Sequence, residues 1–305
     1  STWTTYSHAA SASTSATVSG LTNYLAYIFR VSAYNANGYG QASSTSTAVN
    51  PGSTVASISL STSASGVKNG SAFTTQPVVT LKDGIGATIT TDSASVVVAS
   101  VSSGGTLIGT KQATASSGIA TFSNLGLNGV AGTNYTITFS SGGFTDTQTV
   151  TAVIGDPYKL ALTTVGVGGQ AGVSFSTQPV VKIQDVAGNL VTSDSSTIVS
   201  VTTPTTDCRT SNATKTAVSG IVEFSSLSIT GLEGSNCTLS YDSPNLASAT
   251  QVVLALRGPP ASLNNTRRDS NTTYGRPMAT QPIWEIRDSG NNVMVTDNTS
   301  VVTVT

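Results

Sequence analysis

One sequence segment of about twenty-five residues occurs three times in this chain, with small changes. "FTTQPVVTLKDGIGATITTDSASVV" begins at Phe73, "FSTQPVVKIQDVAGNLVTSDSSTIV" at Phe175 and "MATQPIWEIRDSGNNVMVTDNTSVV" at Met278, at spacings of 102 and 103 residues. Solenoid units are about 20–50 residues long, whereas ~100 residues is the size of a small domain. The chain is therefore predicted to consist of similar domains in tandem.

Apolar and polar residues alternate within each copy. Val79 and Leu81 alternate with Thr80 and Lys82, and the other copies repeat the pattern. A period of two indicates a strand with one buried face. The same alternation predicts further inward-facing residues at Val97, Ala99, Val101, Ala120, Phe122, Leu125, Leu127, Ile137 and Phe139, and in the second copy at Val181, Ile183, Val199, Val201, Val222, Phe224, Leu227, Ile229, Leu239 and Tyr241.

Turn signals separate these strand patterns. "DGIGA", "DVAGN" and "DSGNN" each combine a turn-opening Asp with Gly or Asn, which tolerate positive φ. Pro77, Pro179 and Pro282 stand just ahead of a strand pattern, where proline removes no ladder hydrogen bond. Short strands at this spacing, without a helical period, predict an all-β chain of β-sandwiches.

The first fifty residues differ from the repeats and resemble the end of a fibronectin type III domain. The resemblance is carried by "LTNYLAYIFRVSAYNANGYGQAS" from Leu21, in which Leu21, Tyr27, Phe29, Val31 and Ala33 take the inward positions. It implies that Tyr27 is a corner tyrosine, tied to the preceding loop. In the third copy of the repeat, Trp284 stands at the place of Val79 and is predicted to fill a core.

The repeats themselves resemble the immunoglobulin-like repeats of bacterial-adhesin type found in very long cell-surface proteins. The shared pattern is "TQPVV" followed by "SGIA" and "FSNL" in the first copy. The resemblance implies tandem immunoglobulin-like and fibronectin type III sandwiches. The expected domains are a partial fibronectin type III-like domain at 1–50, repeats at 51–154 and 155–257, and a partial third repeat at 258–305. Because the linkers are short and contain proline, a stiff, rod-like array is expected.

Composition excludes several classes of partner. Only 9% of the residues are charged and the net charge is −1, so no basic surface for nucleic acid or an anionic membrane is expected. No apolar run approaches the ~20 residues that cross a bilayer. Because the chain begins at Ser1 and stops within a repeat, we expect it to be a piece of a longer protein.

No reaction chemistry is indicated by the sequence. His8 is the only histidine, and neither a nucleophile elbow nor a phosphate-binding loop is present. We predict no catalytic residue and no cofactor. Two acidic positions recur in every copy, and they are interpreted either as turn and strand-end residues or as weak calcium ligands: Asp83, Asp92, Asp185, Asp194, Asp288 and Asp297.

The chain has two cysteines, Cys208 and Cys237. By simple offset they stand where the first copy has Thr106 and Tyr135, so the pair is confined to one repeat. A disulfide is predicted, which would indicate an oxidising compartment, and two buried free thiols are the alternative.

Seven Asn-x-Ser/Thr sequons occur, about as many as a chain that is nearly one-third Ser and Thr produces by chance. They are candidate glycosylation sites only in a secreted eukaryotic protein. Asn264 and Asn271 are expected to be the most exposed, followed by Asn212, and the others are Asn236, Asn69, Asn134 and Asn298.

These observations predict a non-enzymatic structural segment of a long extracellular or cell-surface protein, acting as a rod or as a building block of a filament. The alternatives are the stalk of an adhesin whose binding domain lies elsewhere, and an accessory region of a secreted polysaccharide-active enzyme. The expected partners are neighbouring copies of the chain or other extracellular structural proteins, with glycans as a further candidate; nucleic acid and membrane contacts are not expected.

Overall fold

A computed structural model describes residues 3–6, 13–22, 25–49, 51, 54–204, 206–269 and 274–303. Every regular element in these ranges is a β-strand, and none of the described residues belongs to a helix long and apolar enough to cross a membrane. The strands are, in chain order, β1 (Tyr34–Asn35), β2 (Gly38–Tyr39), β3 (Ser57–Thr62), β4 (Val78–Lys82), β5 (Val96–Val101), β6 (Thr106–Ile108), β7 (Gln112–Thr114), β8 (Ile119–Thr121), β9 (Gly126–Asn128), β10 (Asn134–Ser141), β11 (Phe144–Thr151), β12 (Lys159–Thr164), β13 (Val180–Gln184), β14 (Ile198–Thr202), β15 (Cys208–Ser211), β16 (Thr214–Thr216), β17 (Ile221–Glu223), β18 (Ser228–Gly231), β19 (Asn236–Asp242), β20 (Ala249–Leu254), β21 (Pro260–Arg267) and β22 (Ile283–Asp288).

Strands β3–β11 form a first sandwich and strands β12–β20 form a second one with the same topology. The sheets of the first have the orders β3-β4-β8, β11-β10-β5-β7 and β6-β9, and those of the second have the orders β12-β13-β17, β20-β19-β14-β16 and β15-β18. Strand pairing within these sheets is antiparallel. The prediction of an all-β chain of sandwiches is confirmed.

Each sandwich encloses its own apolar core, and the two cores are separate. The inward positions predicted from the alternation are buried in both, except Val101, which is half-buried. Phe122 packs against Phe139 with ring centroids 5.4 Å apart, and Phe224 and Tyr241 pair at 6.0 Å in the second core. Each such large side chain contributes about 1.5–3 kcal/mol when fully buried, so both cores stabilise their sandwiches.

The predicted turns and prolines lie where the pattern placed them. Pro77, Pro179 and Pro282 immediately precede β4, β13 and β22. Each of these strands ends at or just before the turn-forming Asp of its repeat.

Outside the two sandwiches, the described strands form two two-stranded sheets, β1-β2 and β21-β22. Tyr27 bridges Val49, and its hydroxyl oxygen accepts a hydrogen bond from the backbone N–H of Thr22 at 3.0 Å, the contact expected of a corner tyrosine. Val31 is nevertheless 74% exposed and Trp284 is 47% exposed, although both were predicted to face a core. The reason is that no second sheet covers these segments within the described residues, so their inward faces have nothing to pack against.

Candidate functional site at the joints between sandwiches

The most extensively hydrogen-bonded polar cluster in the described residues lies between the two sandwiches. We call it the first joint, made of Asn69, Gly129, Gly155, Asp185 and Asn189. Its centre is Asp185, which follows β13 and is 0% exposed. A buried carboxylate is costly unless every oxygen is paired, so its partners define what the cluster does.

The carboxylate of Asp185 both shapes its own turn and contacts the preceding sandwich. Its Oδ1 accepts from the backbone N–H groups of Ala187 and Asn189, each at 2.9 Å. Its Oδ2 accepts from the linker N–H of Gly155 and from the side-chain amide of Asn69, also at 2.9 Å. One side chain therefore connects a turn of the second sandwich, the linker and a loop of the first sandwich.

Asn189 adds a second connection across the first joint. Its amide nitrogen donates to the carbonyl oxygen of Gly129 at 3.0 Å, and its Oδ1 accepts from the N–H of Ala131 at 2.9 Å. The side-chain amide of Asn69 donates to the same carbonyl at 2.9 Å. The side-chain amides of Asn69 and Asn189 thus both bind the 129–131 loop.

The linker backbone at residue 155 lies so close to the backbone of Asn69 that only glycine fits there. A Cβ added to Gly155 would lie 2.3 Å from the backbone carbonyl oxygen of Asn69, a separation that no side chain can adopt. The linker therefore passes directly over the first sandwich, and only glycine permits this.

The same arrangement recurs between the second sandwich and the third repeat. We call it the second joint, made of Gly231, Glu233, Gly258, Asp288 and Asn292. Asp288 Oδ1 accepts from the N–H of Asn292 at 2.9 Å, and its Oδ2 accepts from the N–H of Gly258 at 2.8 Å. Asn292 donates to the carbonyl oxygen of Gly231 at 3.0 Å and accepts from the N–H of Glu233 at 2.8 Å.

The two joints differ in one detail and share another. The second sandwich has Ala171 where the first has Asn69, so the amide that reaches Asp185 has no counterpart. A Cβ on Gly258 would lie 2.0 Å from the carbonyl oxygen of Ala171, so the close approach of the linker is retained.

Burial raises the pKa of Asp185, but the hydrogen bonds from Gly155, Asn69 and Asn189 outweigh it and hold the pKa below its usual range. Asp288 is similar: burial raises its pKa, and the donors Asn292, Gly258 and Gly290 lower it further than burial raises it. Both side chains are therefore ionised acceptors at neutral pH.

The other recurring acids serve turns within their own repeat. Asp83 Oδ1 accepts from the N–H of Ala87 at 2.8 Å. Asp92 accepts from the N–H of Ser95 at 2.9 Å, Asp194 from that of Thr197 at 2.9 Å, and Asp297 from that of Ser300 at 3.0 Å. These contacts match the turn interpretation.

Calcium would need several oxygen ligands that are free of other partners. At Asp185 and Asp288 both carboxylate oxygens already accept N–H groups, and a cation would have to displace them. No three acidic, histidine or cysteine side chains cluster in the described ranges.

Cys208 and Cys237 form a disulfide in the structure, with Cα atoms 5.8 Å apart. The pairing register corrects the offset used for Cys208. Cys208 lies opposite Gly231 in the second sandwich. In the first sandwich Thr106 lies opposite Asn128, which corresponds to Thr230, one residue before Gly231. Continued by one residue, the first register sets Gly105 opposite Gly129, so Cys208 occupies the place of Gly105 rather than Thr106.

The sequon asparagines fall into three groups. Asn69 is 2% exposed and its side chain is hydrogen-bonded within the first joint, so the expectation that it is a glycosylation candidate is corrected: its amide is not accessible. Asn271 lies outside the described residues. The remaining ones are exposed: Asn134, Asn212, Asn236, Asn264 and Asn298.

Neither a protein-family model nor a curated protein matches the sequence. Among similar solved structures, domains 5–6 of the S-layer protein SbsC are 20% identical at a TM-score of 0.25, covering 67% of this chain and 99% of that one. A β-glycosidase from Bacteroides vulgatus is 11% identical at a TM-score of 0.26, covering 65% of this chain and 24% of its own. A glycosyl hydrolase family 2 member from Bacteroides cellulosilyticus is 10% identical at a TM-score of 0.28, covering 60% of this chain and 23% of its own.

This chain thus spans about a quarter of the length of those two hydrolases. At such TM-scores these likenesses carry no argument about the function of this chain.

Proposed function

We propose that this chain is a non-enzymatic structural segment of a long extracellular or cell-surface protein. It forms a stiff multidomain rod or the building block of an extracellular filament. One observation carries the proposal: the same hydrogen-bond network, centred on a buried Asp and completed by a half-buried Asn, is built at both joints between the same turn and the same loop of successive units. A satisfied polar network fixes geometry, because any rotation at the joint would leave buried groups unpaired.

The proposed units are a partial fibronectin type III-like domain at 1–50, immunoglobulin-like repeats at 51–154 and 155–257, and a partial repeat at 258–305. The corner contact of Tyr27 with Thr22 supports the first assignment. The identical strand order of the two sandwiches supports the repeat assignment.

An extracellular or cell-surface location is proposed from the chemistry of the chain. The Cys208–Cys237 disulfide persists in oxidising compartments, which supports this location. The proposed partners are neighbouring copies or other extracellular structural proteins, because a chain with 9% charged residues presents little charge repulsion between copies. Glycans are proposed as further partners.

The stiffness can be tested by imaging single molecules of the whole chain by negative-stain electron microscopy. We expect a narrow distribution of angles between the two sandwiches in the unmodified protein. The substitution Asp185→Ala should broaden it, because the linker N–H of Gly155 and the turn N–H of Asn189 lose their acceptor.

The matched control is Asp92→Ala with Asp194→Ala, which removes the same kind of turn carboxylate inside each sandwich. These variants should leave the angles narrow. A broad distribution in the unmodified protein would contradict the proposal. Ordered lateral contacts between molecules would favour a filament, and isolated rods would favour a stalk.

A further inference from the structure

The disulfide lies directly beneath the second joint. Cys208 pairs across the sheet with Gly231, the last residue of β18. A Cβ added to Gly231 would lie 3.2 Å from the sulfur of Cys208 and 3.2 Å from that of Cys237. The carbonyl oxygen of Gly231 is the acceptor of the Asn292 amide. One glycine therefore contacts the disulfide on one side and the next repeat on the other.

The first sandwich supports the equivalent loop with an aromatic ring instead. A Cβ added to Gly129 would lie 2.4 Å from Tyr135 Cε2, so Gly129 rests on the ring. The hydroxyl oxygen of Tyr135 accepts from the backbone N–H of Val130 at 2.9 Å. This loop, residues 129–131, is the one that Asn189 binds in the first joint.

Cys237 takes the place of Tyr135, and Cys208 takes the place of Gly105. Gly105 also lies against the ring, since a Cβ added there would be 2.8 Å from Tyr135 Cδ1. A glycine and a tyrosine thus fill the volume that the two cysteines fill in the second sandwich. The ring needs no covalent bond to hold the loop, whereas two small side chains support it as a linked pair.

We infer that the Cys208–Cys237 disulfide supports the second joint and makes this joint, unlike the first, sensitive to reduction. A dithiol reductant supplies two electrons and two protons. The S–S bond breaks, two thiols form, and the dithiol becomes a disulfide. The separated thiols no longer fix Gly231 from below, so the 231–233 loop moves and Asn292 loses its two backbone partners.

This inference rests on the proposed role of the joints as stiff connections. It adds that one joint can be loosened chemically while its neighbour stays intact. Stiffness would then vary along the chain with the redox state of its surroundings.

The test is hydrogen exchange of the whole, unmodified chain, with and without dithiothreitol. The reporters are the N–H groups of Glu233 and Gly258, which donate across the second joint. Their counterparts at the first joint, Ala131 and Gly155, are the internal control. On reduction we expect exchange at Glu233 and Gly258 to rise by about tenfold or more, with no change at Ala131 and Gly155.

A variant provides the matched control. Cys208→Gly with Cys237→Tyr installs the support of the first sandwich and should exchange slowly at Glu233 with or without reductant. The inference is overturned if the reduced protein keeps Glu233 and Gly258 protected. It is equally overturned if reduction raises exchange at both joints by the same factor. The same holds if reduction raises exchange throughout residues 160–255 together, which would report unfolding of the whole second sandwich. Fast exchange at both joints in the oxidised protein would instead contradict the proposed function, so the two failures are distinguishable.

Discussion

At the scale of single residues, an Asp and an Asn four positions apart decide how two sandwiches meet. Asp185 alone would shape its turn, as Asp83 does in the first sandwich. The contact with the preceding unit needs the amide at the fifth turn position, which is Asn189 in one repeat and Asn292 in the next. The first repeat has Ala87 there, so its turn cannot make this contact with the segment before it.

Asn189→Ala should therefore weaken the first joint without altering either core. The change removes one of the two amide donors to Gly129 and leaves the N–H of the half-buried Ala131 without its acceptor, for which about 0.5–1.5 kcal/mol per hydrogen bond is expected. Urea unfolding followed by circular dichroism would measure it. Asn298→Ala, at an exposed asparagine, is the control and should change stability by less than ~0.5 kcal/mol. Equal stability of the two variants would contradict this reading of Asn189.

The stabilisation that the joint carboxylates contribute should be lost in acid. The folded pKa of Asp185 lies below the value of an unfolded Asp, about 3.9, so the unfolded chain binds the extra proton first. The stabilisation is thus complete above that pH and is lost as the pH falls through the lower, folded pKa.

Unfolding free energies measured between pH 7 and pH 2 should fall most steeply below about pH 4. Asp185→Asn with Asp288→Asn should be less stable at pH 7 and lose less on acidification. An unchanged slope in the double variant would exclude these two carboxylates as the source.

At the scale of elements, one glutamine closes each sandwich where backbone pairing stops. Gln148 on β11 donates from Nε2 to the carbonyl oxygen of Ala64 and accepts at Oε1 from its N–H, at 2.7 and 2.8 Å. Gln251 on β20 makes the same two bonds to Gly166, both at 2.9 Å. A side-chain amide thus imitates a backbone partner and keeps the strand edge from exposing unpaired groups.

Gln148→Ala should cost about 1–3 kcal/mol in the first sandwich, because one donor and one acceptor of Ala64 are released together. Gln112→Ala, an exposed position on β7, is the matched control and should be nearly neutral. Thermal unfolding of the two variants would decide, and a neutral Gln148→Ala would mean that water replaces the amide without loss.

The disulfide gives the two sandwiches different chemistry despite their common topology. A reducing agent should lower the Tm of the second sandwich, because the bond closes a loop of about 30 residues, for which about 3–4 kcal/mol is expected. The first sandwich has no cysteine and should be unaffected. Calorimetry with and without reductant measures both transitions, and a response in neither or in both would make the assignment wrong.

At the scale of the whole molecule, the joints repeat as regularly as the sandwiches do. Each linker glycine donates to an Asp of the unit that follows it, Gly155 to Asp185 and Gly258 to Asp288. At both joints the chain itself therefore supplies contacts that connect successive units.

Chelation should accordingly leave the assembly of units unchanged. With EDTA present, we expect the same Tm and the same exchange at Gly155 and Gly258, because the carboxylates that contact these groups already have N–H partners. A large fall in Tm on adding EDTA would establish a calcium site and overturn the interpretation of the recurring acids as turn residues.

The alternation of apolar residues predicted both cores, and turn chemistry predicted the roles of Asp92 and Asp194. These are local properties, since strand periodicity and turn geometry involve residues within a few positions of one another. The same alternation misplaced Trp284, and the resemblance to a fibronectin type III domain misplaced Val31, because neither says whether another sheet covers the face that a side chain takes.

Sequence alone thus determined that this chain is a series of alike β-sandwiches, through a repeat of about 102 residues and a period of two within it. Only the tertiary structure decided how the units are connected. Asn69, Gly129 and Asp185 come together over separations of up to 116 residues, and the shift that sets Cys208 in place of Gly105 is a matter of strand register. The contacts at the joint depend on the packing of whole units against one another, and the register depends on the pairing of strands within one sandwich. No local pattern of residues encodes either of them.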